Sequence, residues 1–163
     1  MAVTVRRAKT EDARTIAEFA HKLFAQHERY DARRFSQIAE VEQMATFYGS
    51  QTNARNAAVL VAELEEKVIG FAYVQYETIN YAELLKNAAW IHDLYVDETA
   101  RGHSAGKLLI EKSIEIAREF GADKLMLSVA ARNETAREFF ERRGFRTTMV
   151  EMMLDLTEQK GND

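Results

Sequence analysis

The chain reads as one mixed α/β domain, a mostly antiparallel sheet flanked by helices, and three observations predict that class. Val59 to Glu63 and Val68 to Tyr76 are strand-like runs on either side of the charged turn Glu65-Glu66-Lys67, the pattern of an antiparallel pair. A third run, Ala89 to Val96, leads through a glycine-bearing loop into Leu109, Ile110, Ile114, Ala117 and Phe120 at helical spacing, and the apolar run Leu125 to Val129 follows. That order predicts a strand, helix, strand unit with parallel strands and a right-handed crossover. With 163 residues, 47% of them hydrophobic, the chain can fill one core. It shows no repeat, low-complexity tract or linker, so residues 1–163 are expected to form a single domain with its core at about 3–157.

The remaining elements follow in order. Val3 to Arg6 is strand-like, and Thr10 suits a helix N-cap with Glu11 and Asp12 in the first turn. Ala13, Ile16, Ala17, Ala20 and Phe24 recur at helical spacing, and after a polar loop Ile38, Val41, Ala45 and Tyr48 repeat it. The polar and aromatic stretch Glu77 to Asn87 is expected to be a partly helical excursion before the strand that begins at Ala89. Gly121 suits a left-handed end to the central helix, and continuous apolarity makes Leu125 to Val129 a strand covered on both faces. A last helix from about Glu134 carries Ala136, Phe139 and Phe140 on one face and ends near Gly144; Val150 to Leu156 is expected to close the chain as a strand.

Composition removes several function classes. A net charge of -4 leaves no basic footprint for nucleic acid. No apolar run approaches the roughly 20 residues that cross a bilayer, and MAVTVRRAKT is charged where a signal peptide is apolar. A cytoplasmic protein without a membrane partner is expected. The absence of cysteine removes disulfides and thiol nucleophiles, and the 4 histidines show no metal-ligand spacing, so no metal is expected.

The loop Arg101-Gly102-His103-Ser104-Ala105-Gly106-Lys107 joins a strand to a helix start. A helix start presents unpaired N–H groups and the positive end of the helix dipole, so it can hold a phosphate, with Arg101, His103 and Lys107 as further donors. A capped surface turn would look similar. A dinucleotide fold does not fit, because Gly-x-Gly-x-x-Gly is absent and no early strand leads into the loop.

Ile91 to Leu109 resembles the acetyl-CoA motif of the GNAT superfamily of N-acetyltransferases, a bulged strand followed by Gln/Arg-x-x-Gly-x-Gly/Ala and a long helix. Asn133 to Phe145, with Ala136, the pair Phe139-Phe140 and Gly144-Phe145, resembles that family's later motif. The two together cover about residues 90 to 146. The chain departs from the pattern twice: Ser104 stands where the family most often has its middle glycine, and Phe140 stands where many members have a tyrosine proposed to protonate the leaving thiolate.

The resemblance implies acetyl-CoA as co-substrate, no metal, and a central strand that bulges at Leu94 to Val96 and splays to admit it. Leu94, Tyr95 and Val96, the loop Arg101, Gly102, His103, Ser104, Ala105, Gly106 and Lys107, and Asn133, Ala136, Phe139 and Phe140 are the implied cofactor contacts. It further implies attack by a primary amine, with the Val96 N–H as oxyanion donor. His92 aligns with a carboxylate that acts as base in some members, and in an ideal strand it shares a face with Leu94 and Val96. Asp93 is its neighbouring rival. Each has a plainer reading: His92 as a strand histidine, Phe139 and Phe140 as core, Asn133 as a helix cap. Arg137, Arg142 and Arg143 read as a solvated face, with contact to the CoA 3′-phosphate as the alternative.

The resemblance places the acceptor near Gln26 to Phe35 and Tyr76 to Lys86. Glu28, Asp31, Glu77 and Glu83 could meet a cationic amine there, and Tyr30, Tyr76 and Tyr81 its carbon chain. A small-molecule amine or a protein amine is the expected partner, with a homodimer as a further expectation. A second class of function, a non-catalytic acyl-CoA sensor of the same fold, draws on Phe140 and Ser104.

Overall fold

The computed structural model describes residues 2–157; the chain ends included in the expected domain, Met1 and 158–163, lie outside the described residues. The described residues form two compact units, 2–23 with Ala39–Ser128, and Phe24–Ile38 with 129–157.

The first unit holds strands β1 (Thr4–Arg7), β2 (Ala57–Leu64), β3 (Lys67–Asn80), β4 (Leu85–Val96) and β5 (Lys124–Leu127), in the sheet order β1-β2-β3-β4-β5. β1 to β4 pair antiparallel and β5 lies parallel to β4. Helix α3 (Ala105–Glu119) makes the crossover between those two, as the sequence order requires. Helix α1 (Ala13–Tyr30) contributes its residues up to Leu23, and α2 (Val41–Gln51) belongs here entirely. The turn between β2 and β3 places both Glu65 and Glu66 at positive φ, 51° and 63°, the geometry of a tight hairpin whose twist matches its strands.

The core is the centre of this sheet with a helix layer on each side. Ala57 to Ala62 of β2 and Ile69 to Val74 of β3 are buried throughout, as strands covered on both faces must be. On one face Tyr48 of α2 meets Phe71, and Phe19 of α1 meets Tyr95 at 5.4 Å. On the other, Tyr76 stacks on Phe120 at the end of α3. Gly70 is forced by close approach, since a Cβ there would stand 2.6 Å from the Tyr95 carbonyl oxygen.

Several expectations need correction. Thr10 is not a cap but opens a short 3-10 turn, Thr10–Asp12, where the Lys9 N–H donates to the Asp12 carboxylate. In the second helix Met44 is buried with Tyr48, whereas Ile38 precedes the helix and is 89% exposed. Glu77 to Asn87 is not helical: β3 and β4 run on as a hairpin, pairing Ile79 with Lys86 and Asn80 with Leu85, and turn at Tyr81 to Leu84. Leu125 to Leu127 are only half-buried, because β5 is an edge strand.

The second unit contains Phe24 to Tyr30 of α1 and helix α4 (Glu134–Glu141). Asn133 caps α4, its side chain accepting from the Ala136 N–H at 3.2 Å, and Gly144 leaves the helix at φ 92°. Phe140 packs between Phe139 and Phe145, with ring centroids 5.3 and 5.7 Å away. Among the described residues 146–157 there is no strand, so the expected closing strand Val150 to Leu156 is not formed there, and most of the segment is exposed. Its polar side is tied down by Arg34 to Glu151 and Arg33 to Asp155.

Candidate functional site

The register of β4 against β3 slips at one point. Tyr73 pairs with Asp93 but Val74 pairs with Ile91, which leaves His92 as the extra residue of a β-bulge. Leu94, Tyr95 and Val96 continue in regular register with Ala72, Phe71 and Gly70, so the bulge sits at His92 and not at Leu94 to Val96. The slip also changes which face His92 joins. Its ring lies 5.5 Å from Tyr73 and stacks on Trp90 at 6.1 Å, and its Nε2 is 3.2 Å from Gln75 Oε1. His92 therefore belongs with Tyr73, Gln75 and Trp90, and the face shared with Leu94 and Val96 that an unbroken alternation predicts is not formed.

The same ladder fixes the amides further along. The Asp97 N–H bonds the Ile69 carbonyl at 2.8 Å, so Asp97, Tyr95 and Asp93 direct their N–H groups at β3. Leu94 and Val96 direct theirs away from it. On that side β5 pairs only with Ala88 to Ile91, leaving the outer edge of β4 unpaired beyond Ile91. None of the sheet's strand pairings engages the outward N–H groups of Leu94 and Val96, although the ladder around them is regular.

Behind His92 is an aromatic and polar cluster. The Tyr48 hydroxyl donates to Asp93 at 2.7 Å, and the Tyr73 hydroxyl donates to Gln51 Oε1 at 3.0 Å. Burial, reinforced by the Asp93 charge, raises the pKa of both tyrosines, so both remain protonated donors at neutral pH. In front of His92 lies a cavity of about 170 Å³ lined by Glu77, Asn80, Glu83, Trp90, Ile91, His92 and Ser128. Asn80 organises its rim, donating to Glu77 at 2.7 Å and accepting from the Glu83 N–H at 3.1 Å. The Trp90 Nε1–H is buried and has no hydrogen-bond partner among the described residues, a free donor beside two carboxylates. Sequence reasoning missed Tyr48, Tyr73, Gln75, Asn80 and Trp90 as site residues. Only Trp90 carried a signal, as a tryptophan two positions before the candidate base.

A wider groove of about 530 Å³ takes in Tyr76 and Tyr81 with Asn56, Glu77, Thr78, Ile79 and Asn80. Tyr81 is exposed at the hairpin tip, whereas Tyr76 is engaged by Phe120 and by Asn87, 3.4 Å from its hydroxyl. Glu28 and Tyr30 lie on the second unit's part of α1; Glu28 is exposed, and the Tyr30 ring meets His27 edge-on.

The loop from Arg101 opens α3 with two left-handed residues, Gly102 at φ 89° and Ser104 at φ 62°. Ser104 makes no side-chain capping bond. The N–H groups of Ala105, Gly106 and Lys107 belong to the first turn, where a helix offers them no intrahelical acceptors. Ala105 is buried, while Arg101, His103 and Lys107 stand exposed around the loop; Arg101 and Lys107 are each 3.7 Å from a glutamate, Glu98 and Glu111. In the second unit Ala136, Phe139 and Phe140 are half-buried, and the Arg143 guanidinium covers the Phe139 ring at 3.5 Å. No group of three or more potential metal ligands occurs among the described residues, and none of their helices is long and apolar enough to cross a membrane.

Comparison with known proteins agrees with this arrangement. An uncharacterized N-acetyltransferase of Methanocaldococcus jannaschii is 36% identical over 85 residues, which are 52% of this chain and only 37% of that protein. The tetramutant of the BH1408 protein from Bacillus halodurans has a similar fold, with a TM-score of 0.80 at 24% identity over 94% of this chain and 99% of that one. An aminoglycoside N-acetyltransferase, AAC(6′)-Iy, solved in complex with CoA, gives a TM-score of 0.77 at 13% identity over 94% of this chain and 93% of that one. The model of the acetyltransferase (GNAT) family matches residues 16–145, spanning the bulged strand, the left-handed loop and the capped helix α4, and the chain belongs to that family.

Proposed function

We propose that the protein is an acetyl-CoA-dependent N-acetyltransferase acting on a primary amine by direct attack in a ternary complex, and that residues 1–163 are one such domain. The observation that carries this is the alignment of two sets of free donors along one strand, loop and helix: the Leu94 and Val96 amides of β4 and the first-turn amides of α3. Acetyl-CoA supplies an acetyl group activated as a thioester. The α3 amides, with Arg101 and Lys107, hold its pyrophosphate. Leu94, Tyr95 and Val96 receive the pantetheine and thioester, and the Val96 N–H meets the oxygen on which charge develops. Asn133, Ala136, Phe139 and Phe140 are assigned to the cofactor from the family motif.

His92 takes the proton of the attacking amine, directly or through one water. A lysine-like amine has a solution pKa near 10 and is charged at neutral pH, so both its recognition and its deprotonation need groups of the kind found here. Glu77 and Glu83 offer charge, Trp90 a flat apolar wall and a donor. Glu28, Tyr30, Tyr76 and Tyr81 are the acceptor residues the family pattern adds. Phe140 has no hydroxyl, so the departing thiolate takes its proton from water.

An amine panel with acetyl-CoA, following free thiol release, tests the activity, and calorimetry with CoA tests the cofactor separately. Turnover with a dicationic or polycationic amine is expected. Binding without turnover on any amine would favour the acyl-CoA sensor, for which Phe140 and the strained Ser104 speak. Absence of binding would overturn both.

A further inference from the structure

The bulge leaves His92 between two anchored neighbours, Ile91 paired with Val74 and Asp93 paired with Tyr73. Its ring is held as well. The Trp90 ring lies parallel to it within 10°, with centroids 6.1 Å apart, and Tyr73 tilts against it at 5.5 Å. Tyr73 is itself fixed, since its hydroxyl donates to Gln51 Oε1 at 3.0 Å. These two rings set the plane of the imidazole but do not tell its nitrogens apart. Gln75 does, because its carboxamide oxygen faces Nε2 at 3.2 Å. A carboxamide oxygen only accepts, so the Nε2 it meets carries the hydrogen. A neutral imidazole has one N–H and one lone pair, which places the lone pair on Nδ1. His92 borders the cavity that holds Glu77 and Glu83, whereas Gln75 is not part of its lining.

We propose that Gln75 is a positioning residue that holds His92 in its Nε2–H form and so makes Nδ1 the nitrogen that takes the proton of the attacking amine. This rests on the acetyltransferase reading with His92 as its base. One proton leaves the amine nitrogen for the Nδ1 lone pair, directly or through one water, and the ring becomes an imidazolium. Its Nε2–H still donates to Gln75, and the Nδ1 proton passes to water once the acetyl group has moved. Without that acceptor the ring would divide between its two neutral forms, only one of which has a lone pair at Nδ1.

Nitrogen-15 NMR of the histidine rings in the full chain, recorded well above the ordinary histidine pKa of about 6.5, reads the form directly. His92→Gln identifies the signal among the 4 histidines by its loss. The wild type should show His92 protonated at Nε2 alone, and Gln75→Leu a mixture of both forms. Gln75→Glu keeps an acceptor oxygen and should restore the wild-type pattern. In the amine assay Gln75→Leu should lower kcat about threefold to tenfold, the usual contribution of one hydrogen bond, with the KM for acetyl-CoA unchanged, and Gln75→Glu should recover kcat. A wild-type ring protonated at Nδ1 overturns the proposal without recourse to any variant. So does a Gln75→Leu ring identical to the wild type, or a loss that falls on the KM for acetyl-CoA in place of kcat. Wild-type turnover by His92→Gln overturns the reading of His92 as base and leaves the ring spectrum standing, so the two failures are told apart.

Discussion

The Tyr48 hydroxyl donates to the Asp93 carboxylate over 2.7 Å, tying α2 to the residue immediately after the β4 bulge. Tyr48 is itself deeply buried and its pKa is pushed up by that burial, so the bond is donated by a neutral phenol that does not ionise. Asp93 is thereby engaged from α2, while His92, exposed beside it, meets Gln75 on the same face of the strand.

Replacing Tyr48 with Phe removes that donor while keeping the ring against Phe71 and Phe47. Loss of one partner of a half-buried carboxylate should cost about 1–3 kcal/mol, read as a lower urea midpoint at unchanged slope. A midpoint equal to wild type would show that water replaces the hydroxyl without loss.

His92→Gln keeps a polar group of similar size opposite Gln75. The rate should fall by about 10² to 10⁴, the usual contribution of a general base, while affinity for CoA stays at the wild-type value because the α3 loop is untouched. Turnover within about threefold of wild type, well below that range, would make His92 a structural residue.

Ser104 occupies a left-handed conformation that costs a non-glycine residue about 1 kcal/mol. Ser104→Gly should raise the melting temperature by a few degrees and bind CoA more tightly, since the backbone can then approach the phosphates. Weaker binding in calorimetry would mean that the serine hydroxyl is itself a ligand.

Gly70→Ala should act at a distance of one strand. The added methyl would meet the Tyr95 carbonyl oxygen at 2.6 Å and the Val96 Cα at 3.2 Å, so β4 must move where the Val96 amide is aimed. Overpacking of this kind costs about 1–3 kcal/mol, and kcat should fall more than CoA affinity does. An unchanged kcat would remove Val96 from the oxyanion role.

Acid sensitivity should trace to Asp12. The Arg6 guanidinium, bonded to it at 2.7 and 3.1 Å, lowers its pKa, and the Lys9 N–H adds to this against the opposing effect of burial. A carboxylate depressed in the folded state contributes stability above its ordinary pKa of about 4 and loses it as pH falls through the lower folded value. Asp12→Asn should therefore flatten the stability profile below that pH. A denaturation series that keeps the wild-type slope would assign the acid limb to other carboxylates.

What the sequence disclosed follows from which residues obey a period. The apolar runs of β2 and the core of β3 and the helical spacing of α3 were legible because burial imposes them, and Gly121 because a left-handed helix end favours glycine. The hairpin beyond Glu77 was not, since its side chains answer to solvent and β3 simply outruns the core. Ile38 fitted a helical spacing but lies before the helix begins. The glycine-bearing loop before α3 was legible as a motif, whereas the placement of His92 was hidden. A bulge adds one residue without changing composition, and parity counted across it assigns the wrong face. Gln75 and Trp90 became visible only once register put them beside His92.

That added residue has a consequence for how the site relates to the fold. Without His92, Ile91 and Asp93 would be neighbours pairing with Val74 and Tyr73, and β4 would run in unbroken alternation with every apolar side chain on its present face. The sheet needs each of the other residues of this stretch and does not need this one. His92 is surplus to the architecture, so its deletion should leave a folded, CoA-binding protein that is chemically silent.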